Sequence, residues 1–420
     1  VAVKKAPGAA GGTGFGVDNL PFGVARRAGG TTTAVSAFGA RVIDLAVLDR
    51  ARSFRDIDLP DRIFEDASLN RFLDCGREVM ESVRRRLAEL VASEDDRLES
   101  ALVSRRAVDL LVPVDVGDFV DFYGSLHHAT NMGRMFRPGA DPLPPNWRRL
   151  PRAYHGRAGS IVPSGTPVHR PYGQVPGDDP DLPVVGVTKA LDFEAEVGFV
   201  VGVGNEPGRP VKVSAFGDHV AGLVLVNDWS ARDIQGLESH PLGPFLGKSF
   251  ATSVSPWLVT LEALEPYRVK APRQDPSPPP YLVAPAKSAY DVVLELSIQS
   301  QWMRINNVAA VVVSRSRLAD QYWTFPQMLA HATVNGAAVR PGDLFASGTV
   351  SGPEPGTEGS LMELAGNGER PVALPDGTTR TFLEDGDTVT LTGWAGGGAR
   401  PLLCVGEVSG AVRAARRMEV

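Results

Sequence analysis

The sequence predicts a mostly β protein in two parts, a small N-terminal unit over residues 1–115 and a larger all-β or mixed-β unit over 116–420. Three observations carry this expectation. Glycine and proline are abundant, at 45 and 34 in 420 residues, which calls for many turns rather than a helical bundle. From about Asp115 onward, apolar runs of strand length alternate with Gly- and Pro-containing breaks. A helical period is kept over a stretch in the N-terminal part, and one later helix is expected in the second part.

Val1–Gly14 holds two lysines among Ala, Gly and Pro and reads as a loose tail, not a signal peptide. Thr31–Phe38 and Arg41–Leu48 are β-branched and apolar and flank Gly39-Ala40, as in a hairpin. After Ser68, a candidate N-cap, Leu69, Phe72, Leu73, Val79, Val83, Leu87 and Leu90 recur at helical steps. Arg84-Arg85-Arg86 alternates with glutamates around it and reads as a solvated helix face, not a nucleic-acid patch. In the second part Leu191–Val201, Ala221–Asn227, Trp257–Leu261, Asp291–Ser297 and Thr388–Thr392 are expected strands, and Leu318–Thr333 is an expected helix. Pro138–Pro151 and Pro272–Pro285 read as surface connections, and no fixed repeat is present.

Composition narrows the function. A net charge of −6 gives no reason to expect nucleic-acid or anionic-membrane binding, and no run of about 18 apolar residues exists to span a bilayer. Cys75 and Cys404 are too few and too far apart for a disulfide framework or a cysteine-based zinc site, which fits a reducing, cytoplasmic setting. No GxSxG elbow or HExxH motif occurs. Gly202-Val-Gly204-Asn-Glu-Pro-Gly208 would need a following helix that Pro207 disfavours. Gly243-Pro-Phe-Leu-Gly247-Lys248-Ser249 is one residue short of a P-loop and contains a proline without an N–H, but its glycines present Lys248 as a cation.

Four clusters remain. In Asp192-Phe-Glu194-Ala-Glu196 the strand period puts three carboxylates on one face. Such a stripe is either a solvated outer face or a group held together by raised pKa values or a cation. Oxygen ligands alone favour Ca²⁺, Mg²⁺ or Mn²⁺. Asp118-Phe-Val-Asp121-Phe-Tyr123, followed by His127-His128 and Arg137, gathers carboxylates, imidazoles, a phenol and a guanidinium. Asn227-Asp228-Trp229-Ser230-Ala231-Arg232-Asp233-Ile234-Gln235 is a polar turn directly after an apolar strand, a common place for function or simply a capped turn. Ala346-Ser-Gly-Thr349-Val-Ser351-Gly-Pro-Glu-Pro355, with Glu363 beyond it, is a small-residue loop that a plain hairpin would also explain.

Taken together the clusters resemble the fumarylacetoacetate hydrolase family, in the long form that carries an N-terminal domain. The matching stretches are Asn19-Leu-Pro-Phe-Gly23, Asp121-Phe-Tyr-Gly-Ser-Leu-His-His-Ala-Thr-Asn131, Tyr154-His-Gly-Arg157, Ser164-Gly-Thr-Pro167 and Asp192-Phe-Glu-Ala-Glu196. They continue with Asn227-Asp-Trp-Ser-Ala-Arg-Asp-Ile-Gln235, Pro241-Leu-Gly-Pro-Phe-Leu-Gly-Lys-Ser-Phe250, Tyr322-Trp-Thr324 and Ala346-Ser-Gly-Thr349, and span most of the chain.

The resemblance implies an N-terminal SH3-like barrel, a catalytic mixed β-sandwich roll, and a homodimeric, metal-dependent hydrolase of C–C bonds. It implies a divalent cation, Ca²⁺ and/or Mg²⁺ with Mn²⁺ a further option, held by Asp121, Glu194, Glu196 and Asp228. Asp228, Lys248 and Thr252 match positions around a second, Mg²⁺ site, where a lysine is better suited to electrostatic partnership than to ligation. His128 matches the catalytic base and Glu363 its orienter. Arg232, Gln235 and Lys248 match the oxyanion-stabilising set, and Tyr123, Arg137, Tyr154, Gln235 and Thr349 match substrate contacts.

The implied substrate is a small dicarbonyl acid, fumarylacetoacetate, cleaved to fumarate and acetoacetate at the end of tyrosine and phenylalanine breakdown. One departure stands out: the family usually has a tyrosine where Ser239 stands, which implies relaxed recognition of the acyl end. The competing expectations are a hydrolase or decarboxylase of another acylpyruvate or β-keto acid, and a non-catalytic metal-binding protein.

Overall fold

The computed structural model describes residues 14–179, 181–397 and 400–417. The tail expected over Val1–Gly14 lies outside the described residues except for Gly14. That residue is tied down, since its carbonyl accepts from the Cys404 amide at 3.0 Å and from Asn19 Nδ2 at 2.9 Å.

The N-terminal unit is a five-stranded antiparallel sheet curled into a half-barrel. From one edge its strands are Leu102–Ser104, Arg41–Asp44, Thr32–Phe38, Phe22–Arg27 and Val108–Leu110. The expected hairpin forms, with Phe38 opposite Arg41 and Gly39 at φ +57° in the turn. Its second strand stops at Asp44 rather than Leu48. The Asp44 carboxylate accepts from the Val47 amide at 3.1 Å and so starts a helix, Leu45–Arg50.

The helix expected after Ser68 is two helices, Asn70–Asp74 and Arg77–Ala92, broken at Gly76 with φ +86°. Leu69, not Ser68, occupies the N-cap position. The arginine triplet is also not a plain solvated face. Arg84 donates to the carbonyls of Asp18 and Asn19 and pairs with Glu262, while Arg86 donates to the Ser53 carbonyl and pairs with Asp56 and Glu89. Long basic stems here fasten the helix to loops on either side.

Two larger sheets, with four two-stranded ones beside them, build the rest of the described residues. The first has eight strands and runs Ala153–His155, Phe119–Phe122, Leu344–Ala346, Ala195–Val201, Val220–Asp228, Thr252–Val254 and Ile161–Pro163, with Val259–Thr260 pairing beside Val220–Asp228. It is mixed, because Leu344–Ala346 lies parallel to Phe119–Phe122 and Thr252–Val254 parallel to Ile161–Pro163. The second runs Val311–Arg317, Val292–Gln299, Thr388–Gly397, Arg400–Arg413 and Val168–His169.

Strand Val220–Asp228 is apolar almost throughout because both of its faces are covered. Leu223 and Leu225 join the core shared with the second sheet, while Val224 and Val226 join the core of the N-terminal unit. The eight-stranded sheet is therefore clamped between two apolar layers. The buried carboxylates Asp121, Glu196 and Asp228 lie toward its strand ends, where the site forms.

Other expectations shift in detail. Leu191–Val201 is interrupted, as Leu191–Asp192 and Ala195–Val201 with Phe193-Glu194 between them. The strand expected at Trp257–Leu261 is only Val259–Thr260 and passes into a helix, Leu261–Leu264, capped by Thr260. The strands expected at Asp291–Ser297 and Thr388–Thr392 extend over Val292–Gln299 and Thr388–Gly397. The helix expected at Leu318–Thr333 begins with a short 3₁₀ turn, Leu318–Asp320, and becomes α-helical only at Phe325–Thr333, after a capping box at Thr324. The proline-rich connections carry buried anchors, Trp147 and Leu282.

Candidate active site

Four carboxylates converge at the strand ends. Asp121, Glu194, Glu196 and Asp228 each place an oxygen within 4.8 Å of the others, and all four are buried. Asp121 lies near the end of the strand Phe119–Phe122, in parallel register with Ala346. Glu194 sits in the break between the two short strands, where its amide donates to Asn227 Oδ1 at 3.1 Å and its carbonyl accepts from the Asp228 amide at 3.2 Å. The stripe Asp192, Glu194, Glu196 is thus buried rather than a solvated face, and Asp192 stands outside the four-carboxylate group.

Fixed cations and hydroxyls meet part of this charge. Lys248 Nζ donates to Asp228 Oδ2 at 2.6 Å and to Glu194. Asp228 also accepts from Tyr154 OH at 2.8 Å and Thr252 Oγ1 at 2.9 Å. Arg232 pairs with Asp192 through Nε at 2.8 Å and with Glu194 through Nη2 at 2.7 Å, and donates to Gln235 Oε1 at 3.1 Å. Lys248 arrives on the turn that is one residue short of a P-loop, which Glu238 braces by accepting from the amides of Phe245 and Gly247.

Burial would push the Glu194 carboxyl up, but Arg232 and Lys248 outweigh it and hold the group below its ordinary range. The opposite holds across the cluster. Burial, then the Asp228 charge, pushes Asp121 up to about 7, and burial with the neighbouring carboxylates raises Glu196 well above its usual value. Neither oxygen of Glu196 has a hydrogen-bond partner among the described residues. An orphaned buried carboxylate among three others is the pattern that a hard divalent cation completes. The four residues therefore fit such an ion.

Against the cluster lies a histidine–carboxylate pair. His128 rides the helix Leu126–Phe136, where Ser125 caps the first turn by accepting from the His128 amide at 3.2 Å. His128 Nδ1 is 2.7 Å from Glu363 Oε2, and Nε2 is 4.0 Å from Glu194 Oε1. Because the carboxylate can only accept, the pairing assigns the proton to Nδ1 and leaves the Nε2 lone pair facing the cluster. Burial would raise the Glu363 carboxyl, but His128 and the donors around it hold it below its ordinary range. Asn131 Nδ2 at 3.0 Å, Ser351 Oγ at 3.0 Å and Ser360 Oγ at 2.8 Å are those donors.

Of the remaining expected residues, Tyr123 lies edge-on to His128 with ring centroids 5.3 Å apart, and burial raises its phenol, as it does that of Tyr154. Thr349 is buried with no partner for its hydroxyl among the described residues. The preceding Gly348, at φ +73°, donates its amide to Asp121 Oδ1 at 3.2 Å, and a Cβ there would strike the Phe122 carbonyl. Gln235 is half-buried beside Arg232. Arg137 is exposed and donates to the Pro142 carbonyl at 2.6 Å, so it is not drawn into the cluster, although its charge opposes the rise at Tyr123. His127 lines a different space, a cavity of about 300 Å³ that it shares with Arg134, Arg148 and Glu354.

Sequence reasoning missed the donors that frame Glu363, namely Asn131, Ser351 and Ser360. One signal was present, since Ser360-Leu-Met-Glu363 has the spacing of a helix-capping box. It placed Asn227 in the polar turn but gave its side chain no role, whereas that side chain sets the Glu194 backbone.

The pattern of the fumarylacetoacetate (FAA) hydrolase C-terminal family matches residues 119–402, and that of the fumarylacetoacetase N-terminal family matches residues 18–113. Relatives named fumarylacetoacetase include that of Arabidopsis thaliana, 46% identical over 388 residues covering 90% of this chain and 91% of that one. The Homo sapiens protein is 42% identical over 391 residues, covering 91% and 92%. The solved fumarylacetoacetate hydrolase of the psychrophile Exiguobacterium antarcticum shares the fold at 16% identity, with a TM-score of 0.53 over 94% of this chain and 99% of that one. Both parts of the sequence match in order and at this level over nine-tenths of the chain, and the chain belongs to the fumarylacetoacetate hydrolase family.

Proposed function

We propose that this protein hydrolyses the C–C bond of fumarylacetoacetate to fumarate and acetoacetate in a divalent-cation-dependent reaction, the last step of tyrosine and phenylalanine breakdown. The observation that carries the reading is the His128–Glu363 pair, whose free Nε2 faces a buried four-carboxylate cluster.

His128 takes the proton from a water that adds to the carbonyl next to the alkene, and Glu363 stabilises the imidazolium that results. Arg232, Gln235 and Lys248 stabilise the oxyanion, a contribution of about 3–4 kcal/mol for each such donor. Two of the three ammonium protons of Lys248 are engaged by Asp228 and Glu194, which leaves one for substrate. The tetrahedral carbon then expels the acetoacetate carbon as an enolate, and the proton held on His128 is returned to the leaving group. Asp121, Glu194, Glu196 and Asp228 would hold the cation, which when bound supplies Lewis-acid stabilisation of the dicarbonyl. Thr252 and Lys248 serve Asp228 as hydrogen-bond partners, in place of direct ligation by the lysine. Tyr123, Tyr154, Thr349 and Arg137 are assigned to the substrate, with Arg137 turning inward from the Pro142 carbonyl.

Ca²⁺ or Mg²⁺ is the expected ion, with Mn²⁺ a further option. A homodimer is the expected assembly, supported by exposed apolar side chains at Val185, Leu242 and Phe245. The unit before about residue 115 is then a separate domain seated on the catalytic one. Among the described residues no helix is long and apolar enough to cross a membrane, and the free thiols of Cys75 and Cys404 support a cytoplasmic setting. The test is an absorbance assay of dicarbonyl loss with fumarylacetoacetate and simpler acylpyruvates, before and after chelation.

A further inference from the structure

We propose that Asp192 is a positioning residue that holds the Arg232 guanidinium and the Glu363-bearing turn in one frame; the proposal rests on the hydrolase reading above. Asp192 ends the short strand Leu191–Asp192 and is completely buried. Its Oδ2 accepts from Arg232 Nε at 2.8 Å and from the Met362 amide at 3.3 Å. Its Oδ1 accepts from the Leu361 amide at 2.8 Å and from the amide of its neighbour Phe193 at 2.8 Å.

Leu361 and Met362 open the turn Leu361–Leu364 that presents Glu363 to His128. Arg232 opens the helix Arg232–Glu238 and reaches Glu194 and Gln235. One carboxylate therefore ties the oxyanion arginine to the segment that orients the base, although these lie 40 and 169 residues away in sequence.

Local folding does not ask for a charge at this position. Strand pairing with Ser230 already engages the Asp192 backbone, and Ser360 already caps the turn by accepting from the Glu363 amide. A buried carboxylate is costly unless fully bonded, and here three of its four bonds lead to the frame of the site, the fourth coming from the neighbouring Phe193 amide. Base and oxyanion donors must keep their mutual spacing, because a displacement of about 1 Å can cost on the order of 10²-fold in rate.

Asp192→Asn tests the proposal. The amide keeps the volume and can still accept from Leu361, but turns an NH₂ toward Arg232 Nε–H, donor against donor. The expected kcat for fumarylacetoacetate falls by about 10–100-fold with little change in KM, and calorimetric binding of Ca²⁺ is retained. In an Arg232→Ala background the same change should add little further loss. The ¹H and ¹⁵N chemical shifts of the His128 ring at fixed pH should also change, whether or not the enzyme turns over this substrate.

An unchanged kcat per folded molecule together with unchanged His128 ring chemical shifts would overturn the proposal, as would full additivity with Arg232→Ala. If wild-type protein leaves fumarylacetoacetate intact, the substrate reading fails and the His128 ring chemical shifts alone decide the positioning role. If Asp192→Asn does not fold, Leu361→Pro removes one donor to Asp192 without changing any charge. Ser360, at φ −133° and ψ 154°, and the first helical position both accept a following proline. That variant should show the same fall in kcat and the same shift at His128, and an unchanged pair of readings again overturns the proposal.

Discussion

His128 Nδ1 and Glu363 Oε2 lie 2.7 Å apart, with both side chains withdrawn from solvent and the carboxylate held by three further donors. The pair commits the imidazole to one tautomer and leaves Nε2 to accept a proton. His128→Ala should therefore lower kcat by about 10²–10⁴-fold while calorimetry still detects cation binding. Glu363→Gln should be defective mainly in kcat. Near-normal turnover by His128→Ala would contradict its role as the base.

The carboxylate cluster makes the cation a stability matter as well as a catalytic one. At a free concentration 100 times its Kd, a bound ion stabilises the fold by about 2.7 kcal/mol, so exhaustive chelation should lower both Tm and activity and re-addition should restore both. Asp228→Ala should abolish cation binding and turnover, because it removes a ligand and strands Lys248, Tyr154 and Thr252. Full activity after chelation would refute the requirement.

Glu196 has no hydrogen-bond partner among the described residues, and burial with the neighbouring carboxylates raises its carboxyl, so at neutral pH Glu196→Gln should raise the Tm of cation-free protein by removing the cost of holding this acid protonated. The same variant should lose most of the Tm increase that Ca²⁺ gives the wild type. Differential scanning calorimetry with and without the ion reads both effects.

Gly348→Ala should destabilise by about 2 kcal/mol or more, since it combines a left-handed backbone with a collision at the Phe122 carbonyl. It should also disturb the amide bond to Asp121. Denaturant unfolding measures the first effect, and cation titration the second.

Ser239 donates to the Gln235 carbonyl at 2.6 Å, and so spends its hydroxyl on its own helix rather than on substrate. Loss of a hydrogen bond to a charged substrate group weakens binding by roughly 1.5–3 kcal/mol. Ser239→Tyr should lower the KM for fumarylacetoacetate and disfavour larger acyl analogues. Unchanged selectivity would place residue 239 outside the pocket.

The site was legible where its residues cluster in sequence and hidden where folding assembles it. Glu194 and Glu196 could be paired by strand period alone, and the polar turn after an apolar run drew attention to Asp228 and Arg232. That period also grouped Asp192 with them, but the strand breaks at Phe193-Glu194 and Asp192 turns to Arg232 and the 361–362 amides. Nothing local marks Ser351 or Asn131 as partners of Glu363, because those contacts join distant segments. In the fold, the hairpin was readable from its β-branched runs, but its end was not. Asp44 caps a helix inside an apolar stretch that reads equally well as strand. Gly76 similarly splits a helical period that continues unbroken in the apolar residues.

The most direct test of the central claim is product analysis with purified protein, fumarylacetoacetate and Ca²⁺ or Mg²⁺ in ¹⁸O-labelled water. Hydrolysis initiated by His128 predicts equimolar fumarate and acetoacetate, with one solvent oxygen entering the fumarate carboxylate per turnover. Release of CO₂ in place of fumarate, or equal rates in chelated and cation-loaded protein, would contradict it.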